Sequence, residues 1–114
     1  IPGEIDSLEQ MTRAAGPVLT AEDLSALLAR ARRLLTLAGT FGYLALDSVV
    51  KKFCDLCSGM PNAHMRDQAP IHVHIRAMRL LAPGGQATDD PAAAEILLME
   101  LTRIHEFLGL PEKW

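Results

Sequence analysis

Cys54-Asp55-Leu56-Cys57 places two thiols one helical turn apart, the spacing that metal-binding and redox pairs use. Imidazoles follow at His64, His72 and His74, so Cys54, Cys57 and His64 make a candidate ligand set of the zinc type. The pattern stops short of a zinc motif, because there is neither a second CxxC nor a His-x3-5-His pair. A thioredoxin-type site would need a βα setting, and c-type haem attachment would need His where Ser58 stands. Both cysteines also fall on the apolar stripe of their segment, where Cys packs as a small hydrophobe. They are read here as core residues, with no metal and no cofactor expected. A metal or redox module built on Cys54 and Cys57 with a histidine is the alternative.

Side chains two apart on a helix point about 200° apart, so His72 and His74 cannot share a metal in that form. We expect independent surface or boundary histidines, and a boundary histidine also at His105, between Leu101 and Leu108. Arg30, Arg32 and Arg33 on one helix, with Lys51 and Lys52 on the next, concentrate positive charge around a helical hairpin, a patch suited to an acidic protein surface. Gly84-Gly85 follows a helix and has nothing after it to orient a phosphate. With no HExxH, no GxSxG and no phosphate-cradling glycine loop, an enzyme is not expected.

Positioning these groups falls to helices. Hydrophobic residues make up 49% of the 114 residues and aromatics only 4%, so the core must be built from Leu, Ala, Ile, Val and Met, a composition for helix-on-helix packing rather than a sandwich or barrel. A formal charge of −3 gives no long-range attraction for nucleic acid or an anionic membrane. No apolar run reaches the roughly 18 residues of a membrane span, and no secretory leader is recognisable. A soluble, cytoplasmic protein is expected, and two cysteines suit a reducing compartment. The opening Ile1-Pro2-Gly3-Glu4 lacks Met, which we read as a removed tag or as a piece of a longer chain.

Five segments carry helical spacing. The first, Glu4 to Ala15, has Ile5, Leu8 and Met11 in register and stops at Gly16-Pro17. Thr20 caps the second, whose stripe is Leu24, Leu27, Leu28, Ala31, Leu34, Leu35 and Ala38. Gly39-Thr40-Phe41-Gly42 predicts a kink or tight turn before a third stripe of Leu46, Val49, Val50, Phe53, Cys54, Cys57 and Met60. After a loop from Met60 to Gln68, the fourth segment starts near Ala69-Pro70 and carries Ile71, Ile75, Met78 and Leu81, with His72, Arg76 and Arg79 on a neighbouring stripe. Asp90, Pro91 and Gly109-Leu110-Pro111 bound the last helix. Each stripe needs a neighbour, and short connections make neighbours antiparallel. The expectation is one all-α domain over residues 1–114, an up-and-down antiparallel four- or five-helix bundle in which every helix is amphipathic. The leucine-rich last helix and the tail Pro111 to Trp114 suit contact with another copy, so a homo-oligomer is a further expectation.

Arg32 to Leu46, RRLLTLAGTFGYLAL, is similar to the signature of histidine-phosphotransfer (HPt) domains, in which a helix bearing the phosphorylatable His runs through small residues into a glycine-bounded turn. Leu34, Ala38, Gly39, Phe41, Gly42 and Leu46 match it. The resemblance implies a helical bundle whose small residues let a second helix pack closely and give a docked receiver domain access to the signature helix. With the glycines aligned, Arg32 stands where the phosphoryl-accepting His belongs, Leu35 where a phosphate-binding Lys belongs, and Thr36 where a Gly belongs. A guanidinium offers donors only and cannot accept a phosphoryl group as imidazole does. The resemblance therefore implies a non-catalytic, HPt-like interaction module of two-component or chemotaxis-type signalling, with a response-regulator receiver domain as the protein partner. Its expected docking residues are Arg32, Arg33, Thr36, Thr40 and Tyr43.

Overall fold

The computed structural model describes residues 2–60 and 68–110, so most of the expected Met60 to Gln68 loop, with His64, and the tail Pro111 to Trp114 lie outside the described residues. Five helices follow in order: α1 (Pro2–Ala14), α2 (Ala21–Thr40), α3 (Leu44–Gly59), α4 (Ala69–Leu81) and α5 (Pro91–Leu108). Among the described residues none is a strand, and none of the described helices is long and apolar enough to cross a membrane.

The caps show why the helices begin and end where they do. At α2 the Thr20 hydroxyl accepts from the Asp23 amide at 3.0 Å while the Asp23 carboxylate accepts from the Thr20 amide at 2.9 Å, a full capping box. Asp90 accepts from the Ala93 amide at the start of α5. That helix stops in a Schellman turn, with Gly109 N–H donating to Glu106 O and Leu110 N–H to His105 O. The same motif ends α2: Gly42 N–H donates to Gly39 O and Tyr43 N–H to Ala38 O, and Gly42 takes a φ of 75° that favours glycine. The two glycines of the hairpin thus have different roles. Gly42 makes the turn, whereas Gly39 lies inside α2.

Helices α1 to α4 pack as a closed ring, α1 on α2, α2 on α3, α3 on α4 and α4 back on α1, and α5 lies against α3 and α4. This is an all-α, up-and-down antiparallel bundle. Its core takes in most of the stripe residues read from the sequence, adds Leu19, Leu56 and Ala77 among others, and leaves Met11, Leu28 and Leu35 half-buried at its edge, with Phe53 the largest fully buried side chain. One expectation fails. Rather than being amphipathic along its length, α3 is buried at five successive positions from Phe53 to Cys57, including Asp55 at 4% exposure. The reason is position: α3 has α2, α4 and α5 around it, so its second half has no face left for solvent.

Polar ties close the ring between α1 and α4. The Gln68 side-chain amide donates towards the carbonyls of Thr12, Ala15 and Gly16, the orphan acceptors at the end of α1. Nearer the start of α1, Arg79 of α4 binds both Asp6 and Glu9, and that guanidinium holds the Glu9 carboxyl below its ordinary range.

The glycines give a contrast in stability. A Cβ on Gly85 would meet the backbone carbonyls of Arg79 and Leu80, atoms that cannot step aside, whereas on Gly39 it would make an ordinary contact with Asp47 at 3.6 Å. Gly85→Ala is expected to destabilise the fold by about 2 kcal/mol or more, and Gly39→Ala to stabilise it by about 0.5 kcal/mol through helix propensity. Urea unfolding followed by circular dichroism measures both.

Candidate interaction surface

Arg32, Thr36 and Thr40 recur every four residues along α2 and form one exposed stripe, with the exposed Arg33 beside it and the half-buried Tyr43 past its end. Arg32 sits near mid-height of the helix. Thr36 folds its hydroxyl back onto the Arg32 carbonyl at 3.1 Å, which leaves the hydroxyl's acceptor lone pair outward. The stripe runs into an apolar tip that the sequence reading did not include among docking residues: Phe41 is 64% exposed and Leu44 77%. The Phe41 and Tyr43 rings lie 6.4 Å apart between centroids. A signal for the tip was available, since Phe41 and Leu44 both fall at or beside the glycine turn and off the α3 stripe.

Not all of the expected basic patch gathers here. Lys51 is held by Asp47 at 3.0 Å, one turn back on α3, close to the hairpin. Lys52 faces the other way and lines a small cleft with Thr102, His105, Glu106 and Leu110 of α5. Arg30 is half-buried. The exposed cations on and beside the stripe are therefore Arg32 and Arg33, the latter close enough to Glu4 of α1 to help lower its carboxyl, and both are donors of a kind that suits carboxylates and other oxyanions.

Cys54 and Cys57 are both free thiols at 2% exposure, packed in the core as their stripe position suggests. Burial pushes the Cys54 thiol up to about 11, against the easing effect of the nearby Arg32 charge, and burial with Cys54 next to it pushes Cys57 up as well. Thiols so raised stay protonated at neutral pH and are poor nucleophiles. Among the described residues no group of three or more His, Cys, Asp or Glu is placed to hold a metal ion.

The histidines depart most from expectation. His72 is exposed and bonded to the Gln68 side-chain oxygen at 3.1 Å. His74, expected at the surface or boundary, is completely buried. Its Nδ1 lies 2.7 Å from the Pro70 carbonyl oxygen and its Nε2 lies 2.9 Å from Nε2 of His105, itself only 7% exposed. Because a carbonyl can only accept, Nδ1 of His74 carries the proton, its Nε2 accepts, and His105 must donate from Nε2. The two rings, 5.1 Å apart, thereby tie α4 to α5, with Phe53 of α3 6.2 Å from the His74 ring. Burial drives the His74 pKa down to about 3, and the neighbouring His105 and Lys52 add to that while the Pro70 bond opposes it. Sequence reasoning missed the pair because the two residues stand on different helices, 31 positions apart.

On the α1–α4 side, His72, Arg76 and Arg79, placed on one stripe from the sequence, line a polar cleft with Glu9 and Arg13. Arg79 is committed there to its two carboxylates. Comparison with protein-family models, curated proteins and solved structures finds no match to this chain.

Two outcomes follow from the buried groups. His74 is neutral in the folded state down to about pH 3, whereas in the unfolded chain it takes up a proton below about 6.5. Stability is thus unaffected by this group above that pH and falls as pH drops below it, by about 1.4 kcal/mol per unit. Between about pH 6.5 and 5, above the carboxylate range, urea unfolding should show a loss of about 2 kcal/mol, and His74→Gln should flatten it. A thiol reagent at neutral pH should modify Cys54 and Cys57 no faster than the chain unfolds, and rapidly in denaturant.

Proposed function

We propose that this chain is a non-catalytic, HPt-like interaction module of two-component or chemotaxis-type signalling, docking a receiver domain in the cytoplasm through the outer face of α2 and the α2–α3 hairpin. The observation that carries this reading is the setting of Arg32. It stands at the position where the resemblance puts the accepting His, exposed near mid-height of a ring helix, with Thr36 and Thr40 one and two turns further along. A guanidinium there keeps its charge at every working pH and takes no phosphoryl group.

The surface has the parts of a recognition face. Arg32 and Arg33 supply donors to an acidic partner, the threonine hydroxyls supply short polar contacts, and Phe41 with Leu44 supplies apolar anchors at the tip. Charge sets approach and register, while the aromatic tip supplies contact area. The capped, glycine-ended α2 holds these groups on a rigid element, so little ordering is needed when a partner docks.

The test titrates response-regulator receiver domains against this chain by calorimetry, with and without a kinase that phosphorylates them. Saturable binding to one receiver is expected, weakened about tenfold or more by Arg32→Glu and unchanged by Arg76→Glu on the opposite, α4 side. No phosphoryl group should appear on the chain. Transfer of phosphate onto it would overturn the non-catalytic reading, and failure to bind any receiver would remove the proposed partner.

A further inference from the structure

Helix α5 is covered on one side only. Of its 18 residues just Ala94, Leu101 and His105 are buried, and its outward face carries Ile96 at 60% exposure, Met99 at 52% and Phe107 at 78%. Large apolar side chains gathered on one exposed helical face mark an interaction surface. Along that face Ile96, Glu100, Arg103 and Phe107 follow at intervals of four, three and four, which lines them up as one seam along the helix with apolar ends and a charged middle. Met99 flanks that seam, and near its C-terminal end a groove of about 330 Å³, lined in part by Ala69, Pro70, Val73 and Ile104, widens the apolar area.

Read in order, the seam is apolar, acid, base, apolar. Two copies laid parallel would set Glu100 on Glu100 and Arg103 on Arg103. Laid antiparallel about an axis between residues 101 and 102, they set each Glu100 against the partner's Arg103 and each Ile96 against the partner's Phe107. We propose that α5 is a self-docking surface, on which a second copy of this chain packs its own α5 antiparallel in this register. In the single chain Glu100 and Arg103 form only a loose pair at 3.6 Å with both side chains largely exposed, an arrangement worth little by itself. Between two copies the same residues become a four-charge cluster closed at each end by an apolar layer. Like-charge contact rejects the parallel alternative. The surface shares no residue with the α2 stripe, so the proposal stands or falls separately from the receiver-docking reading.

Sedimentation of the whole chain over a wide concentration range should show a 12.4 kDa species giving way to one of twice that mass. Glu100→Arg alone and Arg103→Glu alone should each weaken self-association at least tenfold while leaving the helical circular dichroism intact. Mixing those two variants should restore the dimer as a heterodimer, because the cationic seam of one then faces the anionic seam of the other. For direction, Ile96→Cys should form a disulfide with Phe107→Cys in a mixture and not with itself, the native thiols being buried. A wild-type chain that stays monomeric at every concentration overturns the proposal and leaves the face to a different occupant. Dimers indifferent to both charge reversals, or an Ile96→Cys variant that crosslinks to itself, overturn it equally.

Discussion

The antiparallel packing of α2 on α3 is the contact on which the rest of the bundle is assembled. It is the most extensive helix pair in the structure, and a Schellman turn at Gly42 sets its geometry by sending the chain straight back from α2 into α3. Leu27, Ala31, Leu34 and Ala38 then lie buried on one helix and Leu46, Val49, Val50 and Phe53 on the other. Once that pair is formed, α3 has two further sides to cover, and α4 and α5 cover them. The complete burial of residues 53–57 follows, and with it the inert chemistry of Cys54 and Cys57. Thiols that sequence spacing would place at a metal are surrounded by aliphatic side chains that favour their neutral form.

An aliphatic core with few aromatics offers little to distinguish one helix placement from a slightly rotated one. The directional contacts at its edges are polar. Gln68 closes the end of α1 from α4, Arg79 joins α4 to two carboxylates of α1, and the His74–His105 bond joins α4 to α5. Each of these depends on side-chain geometry that a shift of one turn would break. Helix α4 takes part in all three, so its orientation is specified on both flanks. The His pair differs from the other two in lying inside, His74 completely buried and His105 7% exposed.

The proposed receiver docking and the proposed self-docking use two different exposed helical faces. On α2 the face is charge and hydroxyl groups ending in an aromatic tip. The face of α5 is self-complementary in its order of acid and base. The two faces belong to helices that α3 keeps apart, since α2 packs on one side of it and α5 on another.

How much of this was legible beforehand depends on the range of the interaction concerned. The five helical segments, the Thr20 and Asp90 caps, the glycine stops and most core positions within the helices could be read from the residues, because caps and periodicity act within one or two turns. Arg32, Arg33, Thr36 and Thr40 were named from the family resemblance instead, and all four are exposed. The pairing of His74 with His105, the separation of Lys52 from the other basic residues, and the burial of Asp55 were not legible. His74 follows Ile71 by three and precedes Met78 by four, so its own helix turns it to the apolar stripe, and that signal went unread. Only the arrival of α5 supplies His105 as its partner, and only the number of neighbours around α3 decides whether that helix keeps a wet face. By itself the sequence determined which residues form helices and which stripe of each is apolar. Tertiary structure decided which polar residues are buried with those stripes, because burial of a helix's second face depends on partners distant in the chain.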